Sequence, residues 1–133
     1  MTYPYELQYV PPLPIIPVQL SLPGDPPRTG LLNAAIDTGA DLSIIPVAYL
    51  IALEAAPTHQ ALIKSPFGNP VPVDVYQIDV WIEELAFPGM SVVGNETDEE
   101  LILGRNLLNK LILLLDGQRG ETELFETRPA IRR

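Results

Sequence analysis

Proline constrains this chain more than any other residue. Fifteen of the 133 positions are Pro, about twice the usual share of roughly 5%. Proline fixes φ and has no N–H, so it is excluded from helix interiors and from central strands. What fits between the prolines is short, and most of it alternates apolar with polar. Val18, Leu20 and Leu22 alternate with Gln19 and Ser21, which predicts a half-buried strand over 17–22. The cluster Pro23-Gly24-Asp25-Pro26-Pro27-Arg28 is a turn, and 29–36 reads as the return strand. Val71, Val73 and Val75, continued by Ile78, Val80 and Ile82, predict a long strand over 71–82 with one buried face. Residues 61–64 pair with it as a hairpin across Ser65-Pro66-Phe67-Gly68-Asn69-Pro70, and 111–115 with 122–125 form a closing hairpin. Short helices fit only over 46–55 and 105–110. The chain therefore reads as an all-β domain with one or two short helices and no internal repeat.

The length suits one domain, and 47% hydrophobic against 19% charged residues is enough for a core. Residues 1–16 carry Pro11, Pro12 and Pro14 and read as a proline-rich extended arm, packed on its own domain or on a partner subunit. The expected domain is 17–126, followed by a basic tail over 127–133. A net charge of −9 argues against a nucleic-acid surface, which needs clustered Lys and Arg. The absence of cysteine excludes disulfides, thiolate zinc sites and thiol nucleophiles. A single histidine, His59, leaves no His cluster for a metal, and a Ser-His-Asp site would depend on that residue alone. The acidic run Glu96, Asp98, Glu99, Glu100 lacks the glycine turn of a calcium loop and reads as solvated. Trp81 reads as core or interface, and the Asn95-Glu96-Thr97 sequon as fortuitous. The first ten residues, with no basic cluster followed by an apolar stretch, do not read as a signal peptide. Leu111 to Leu115, the longest purely aliphatic run, is far short of the ~20 residues that span a bilayer. A cytoplasmic protein with no membrane or nucleic-acid partner is expected.

One segment points to chemistry. In Ala34-Ala35-Ile36-Asp37-Thr38-Gly39-Ala40-Asp41, a carboxylate directly follows an apolar strand and precedes Thr and Gly. Gly39 permits a tight turn and Thr38 offers a hydroxyl to fix it, so Asp37 would stand, held in place, at the mouth of a core strand. An ordinary hairpin turn would use the same three residues. A second segment, Leu101-Ile102-Leu103-Gly104-Arg105-Asn106-Leu107-Leu108, is an apolar strand ending in Gly, then a helix opened by Arg and Asn.

Together, Ile-Asp-Thr-Gly-Ala-Asp and Ile-Leu-Gly-Arg-Asn-Leu-Leu resemble the two signatures of the retropepsins, the retroviral-type aspartic proteases. The 65–70 hairpin lies between them, where that family carries its flap. The resemblance implies a closed β-barrel-like domain with one short C-terminal helix, one lobe per chain. It implies an aspartic endopeptidase that needs no metal or cofactor and acts on a polypeptide substrate. Two carboxylates facing each other at about 3 Å cannot both ionise, so they share a proton. Asp-Thr-Gly occurs once here, so the resemblance implies a homodimer with Asp37 from each subunit at a two-fold axis.

The same resemblance assigns Asp37, Thr38 and Gly39 to catalysis. It gives substrate contact to Ala40, Asp41, Phe67 and Gly68, and support of the site to Gly104, Arg105 and Asn106. Thr38 would interlock with its symmetry mate, and Arg105 would form a bidentate pair with Asp41. Ala40 stands where pepsin-like enzymes usually have Ser, which implies activity at mildly acidic to near-neutral pH. The presumed flap departs from the family in having one glycine and two prolines. A stiff flap together with the proline arm is what a catalytically silent dimerisation or peptide-binding module of the same fold would also have.

Overall fold

The structure, a computed structural model, describes residues 1–64 and 68–130. Among them the elements run β1 (Thr2–Pro4), β2 (Ile15–Ser21), β3 (Leu32–Ile36), β4 (Ser43–Pro46), α1 (Val47–Ala52), β5 (His59–Ile63), β6 (Val71–Ile82), β7 (Leu85–Asn95), β8 (Leu101–Leu103), α2 (Arg105–Leu108), β9 (Ile112–Asp116) and β10 (Glu121–Phe125). Six of the strands close a barrel in the order β2-β3-β8-β4-β7-β6, because β6 returns to pair with β2 at Leu20↔Val80. Two of its pairings are parallel, β3 with β8 and β4 with β7. β5 continues beyond the ring, antiparallel to β6 through Ala61↔Val73.

Alternation fills the barrel. Ile16, Val18 and Leu20 of β2, Ile78, Val80 and Ile82 of β6, Val92 of β7 and Leu103 of β8 are all sealed from solvent. Each contributes about 1.5–3 kcal/mol of burial. Leu50 of α1 and Leu107 of α2 join the same core. Both helices are shorter than the sequence predicts. α1 stops at Ala52 because Glu54 turns to φ +60, and α2 is a single turn capped by Asn109.

Two elements differ from the sequence reading in ways that matter. The strand expected from Pro17 begins at Ile15, and Ile15 and Ile16 are buried. The expected boundary between arm and domain at 16/17 thus falls inside β2. Ahead of it, β1 pairs with β10 at Tyr3↔Thr122, the Met1 ammonium donates to the Leu124 carbonyl at 3.1 Å, and Tyr3 joins the core. The N-terminal segment therefore packs on its own domain, making the first strand of a three-stranded sheet ordered β1-β10-β9.

The other difference is β7. Pro88 and Gly89 lie inside it, and read from sequence they end a strand rather than continue one. The chain accommodates them with a bulge: Ile78 pairs with Met90 and Val80 with Phe87, so Asp79 alone opposes two residues, and Gly89 takes φ +61. Asp79 is buried, and its two carboxylate oxygens accept the Gly89 N–H and the Gly24 N–H, each at 2.9 Å. One side chain thus fastens the bulge to the β2–β3 turn.

Tyr3 closes the barrel end. Its hydroxyl donates to Glu83 Oε1 at 3.0 Å in the β6–β7 turn, and burial, reinforced by that carboxylate, pushes the phenol up to about 12. A phenol raised above its unfolded value contributes stability that is complete below about pH 10 and disappears as the pH rises through its folded value. Wild-type stability is therefore expected to fall between about pH 10 and 12. Tyr3→Phe should flatten that fall in a chemical-denaturation series. An unchanged alkaline slope in the variant would contradict the assignment.

Candidate active site

β3 ends the barrel wall at Ile36, and the chain leaves it directly into Asp37. The Asp37 N–H donates to the Leu103 carbonyl of β8 at 3.1 Å, so the parallel β3–β8 pairing carries into the loop. Asp37, Thr38 and Gly39 are exposed. The carboxylate is nonetheless fixed, because the Gly39 N–H donates to Asp37 Oδ1 at 2.9 Å and the Ala40 N–H to the Asp37 carbonyl at 3.3 Å.

The second segment buttresses this loop from behind. The Arg105 N–H donates to the Ala40 carbonyl at 2.8 Å and the Asn106 N–H to the Asp41 carbonyl at 3.2 Å. Arg105 does not fork onto Asp41 as expected. One guanidinium nitrogen bonds the Asp41 carboxylate, and Nη1 donates to the Thr38 carbonyl at 2.7 Å. The division follows from geometry, since the loop turns its carbonyl as well as its carboxylate toward α2. Both side chains of the pair are open to solvent, so its value lies in holding the loop's shape rather than in stability.

Sequence reasoning missed Ser43, which is buried at the start of β4. Its Oγ accepts the Gly104 N–H at 3.0 Å and donates to Asn106 Oδ1 at 3.0 Å, while its own N–H donates to the same oxygen at 3.0 Å. Asn106 Nδ2 then donates to the Ser91 carbonyl of β7 at 2.7 Å. Gly104, Asn106 and Ser43 form one closed polar network under the Asp37 loop. The available signal was a small hydroxyl residue in an otherwise apolar strand.

In front of the loop lies a cleft of about 500 Å³ lined by Gly39, Ala40, Asp41, Leu42, Ile44, Ala61, Leu62, Ile63, Lys64 and Val93. It runs between the Asp37 loop and the hairpin strand β5, and its wall is largely aliphatic. The structure thus brings Gly39, Ala40 and Asp41 into one cleft beside Asp37 and Thr38. Gly68 is exposed in the bend before β6 and does not line the cleft. Phe67, expected to cover it, lies outside the described residues, as do Ser65 and Pro66.

His59 is exposed at the start of β5 with Thr58 Oγ1 3.0 Å from its Nδ1. Trp81 is half-buried and donates to Ser21 Oγ at 3.0 Å. Among the described residues no group of three His, Cys, Asp or Glu side chains is placed to hold a metal. Among them, too, no helix is long and apolar enough to cross a membrane.

No family model matches the chain, and no curated protein matches its sequence. Solved structures do match its shape. A retropepsin-like aspartic protease from Rickettsia conorii superposes with a TM-score of 0.61 at 14% identity, over 93% of this chain and 88% of that one. The retroviral protease-like domain of Ddi1 from Leishmania major gives 0.55 at 14% identity, over 86% and 90%. The EIAV protease in an inhibitor complex gives 0.52 at 21% identity, over 81% and 93%. With a six-stranded barrel, a loop leaving β3 and a one-turn helix behind it, this chain has the retropepsin-like fold.

Proposed function

We propose that the chain is an aspartic endopeptidase that works as a homodimer, with one Asp37 from each subunit forming the catalytic pair. The observation that carries this reading is the placement of Asp37. It is the first residue beyond a barrel strand, exposed, held by the Gly39 N–H and buttressed by α2, beside an aliphatic cleft. A single exposed carboxylate cannot both activate water and polarise a carbonyl, whereas two that share one proton can divide these tasks.

In the proposed reaction the ionised Asp37 takes a proton from water as the oxygen attacks the scissile carbonyl carbon. The protonated Asp37 of the other subunit supplies its proton to the carbonyl oxygen, giving a neutral tetrahedral diol. The Asp37 that took the water proton then gives it to the amide nitrogen, while the other Asp37, now ionised, takes a proton from a diol hydroxyl. The C–N bond breaks, an acid and an amine leave, and the pair again holds one proton. The substrate is an extended polypeptide, and the cleft wall of Leu42, Ile44, Ile63 and Val93 suits an aliphatic side chain near the cut. Thr38, whose carbonyl is held by Arg105, keeps the two loops in register.

The test is incubation of the folded protein with a peptide library between pH 4 and 7, reading cut sites by mass spectrometry. Cleavage with an aliphatic preference next to the cut is the expected result. A folded dimer that leaves the library intact across that range overturns the proposal.

A further inference from the structure

We propose that a cavity behind the β5–β6 hairpin binds an organic cation, an ammonium or guanidinium on an aliphatic stem, as a Lys or Arg side chain of a polypeptide carries. The cavity measures about 380 Å³ and opens between β6, the start of α1 and residues 94–97, which is room for one long side chain. Strand alternation places it. Val75 pairs with Val93, which lines the cleft beside the Asp37 loop, so Asp74 and Tyr76 stand on the opposite face of β6. Cavity and cleft share no lining residue, and the cation site does not depend on the chemistry proposed for Asp37.

Tyr76 is the residue that asks for a ligand. It is 7% exposed and packed into the core, yet its hydroxyl has no hydrogen-bond partner among the described residues. Nor is that oxygen sealed, since among the described residues the fully enclosed side-chain atom without a partner is Thr122 Oγ1. Gly94 shows where the hydroxyl opens. A Cβ at Gly94 would sit 2.8 Å from Tyr76 Cε1 and 3.6 Å from Cδ1, so the far edge of the ring lies against a residue that lines the cavity. The hydroxyl stands beyond that edge and faces the cavity. Buried polar side chains are nearly always hydrogen-bonded, and a donor entering from the cavity would complete this one.

Charge selects the donor. Asp74 and Glu96 also line the cavity, and its described lining holds no Lys, Arg or His. Among the described residues the ion pairs are Arg105–Asp41 and Arg119–Asp116, so neither of these two carboxylates has a cationic partner there. Asp74 has the Gln60 amide, at 3.3 Å. Burial first, then the Asp74 and Glu96 carboxylates, push the Tyr76 phenol above its ordinary value. Both acids therefore bear on the hydroxyl, although neither is bonded to it. A cationic N–H group set among the three oxygens gives each a hydrogen bond strengthened by charge. Val47, Val71 and Pro72 supply aliphatic wall, which suits the methylene stem of Lys or Arg. The net charge of −9 draws cations toward the protein.

An NMR titration of the isotope-labelled chain tests the site with three probes: acetyl-Gly-Arg-Gly-amide, its norleucine counterpart, and agmatine. The arginine peptide should shift the backbone amides of residues 94–97 saturably, and the norleucine peptide should leave them in place. Shifts with agmatine but not with the arginine peptide keep the cation site and assign it to free amines. Glu96→Gln, at an exposed position that the fold does not use, should weaken binding about tenfold. Tyr76→Phe keeps the ring, removes the hydroxyl and should weaken binding several-fold. Glu84→Gln, exposed in the β6–β7 turn outside the cavity, removes the same charge elsewhere and should bind as wild type does. Equal shifts from the arginine and norleucine peptides, or an affinity indifferent to Glu96→Gln, overturn the proposal. So does the absence of any shift with all three probes.

Discussion

If the proposed reaction holds, Asp37→Asn should abolish peptide cleavage, by more than about a thousand-fold, and leave the fold intact. The amide is isosteric with the carboxylate, and its oxygen can still accept the Gly39 N–H that Asp37 Oδ1 accepts at 2.9 Å. What it cannot do is take a proton from water, a contribution of about 10²–10⁴-fold for one positioned acid or base, and larger where two groups act as a unit. The substitution also reports stoichiometry. When wild type and variant are mixed in equal amounts and allowed to exchange, random pairing leaves about a quarter of the dimers with two aspartates. Activity per total protein should then fall to about a quarter if both subunits must supply a carboxylate. A fall to one half would mean that each chain carries its own complete site, and the shared pair would be wrong. Undiminished cleavage by the variant alone would remove Asp37 from the chemistry altogether.

The parts of this site that could be read from sequence are those set by short-range backbone geometry. Asp37-Thr38-Gly39 follows an apolar strand, and Gly104-Arg105-Asn106 follows another. Each run carries its own instruction for a turn or a helix start, and the fold brings the two together through parallel β3–β8 pairing. Ser43 was invisible because its role comes from what lies across the barrel. Its hydroxyl is satisfied by Gly104 and Asn106, 61 and 63 residues away. The exact hydrogen-bonding habit of Arg105 was hidden for a similar reason, since the Thr38 carbonyl competes with the Asp41 carboxylate only once the loop is folded.

The same contrast runs through the fold. The long alternation of β6 showed in the sequence at its full length, Val71–Ile82. Its partner β7 did not, because Pro88 and Gly89 interrupt the alternation and become tolerable only when Asp79 fastens the bulge. The closing β2–β6 pairing joins residues some sixty positions apart, and no local pattern announces it. The N-terminal segment illustrates how composition misleads. Its prolines suggest an extended arm set apart from the domain at 16/17, yet Ile15 and Ile16 behind them and Tyr3 ahead of them are all buried in that domain. Burial of the apolar residues between prolines decided its placement, and the prolines decided only that the path would be extended.

Gly104→Ala is expected to be strongly damaging, since among the glycines whose surroundings are described it has the closest backbone atoms around an added Cβ. Gly104 has extended backbone, φ −90 and ψ −179, so alanine meets no conformational penalty there. The obstacle is space. A Cβ at 104 would sit 2.5 Å from the carbonyl carbon and from the carbonyl oxygen of Leu42, and 2.9 Å from Ser43 N. All three are backbone atoms that cannot rotate aside. The strand-to-helix corner would have to move away from the Leu42–Ser43 backbone, straining the Gly104 N–H bond to Ser43 Oγ and the Arg105 N–H bond to Ala40. Overpacking of this kind costs about 1–3 kcal/mol or more, and Tm should fall by roughly 10 °C. Because the displaced corner holds the Asp37 loop, kcat should fall further than the loss of folded protein explains. Gly117→Ala is the matched control: nothing lies within 4 Å of a Cβ there, so stability should hold or rise slightly. Equal melting temperatures for the two variants would show that β8 and α2 do not press against the Asp37 loop. The loop's geometry would then have to come from Gly39 and the β3–β8 pairing alone.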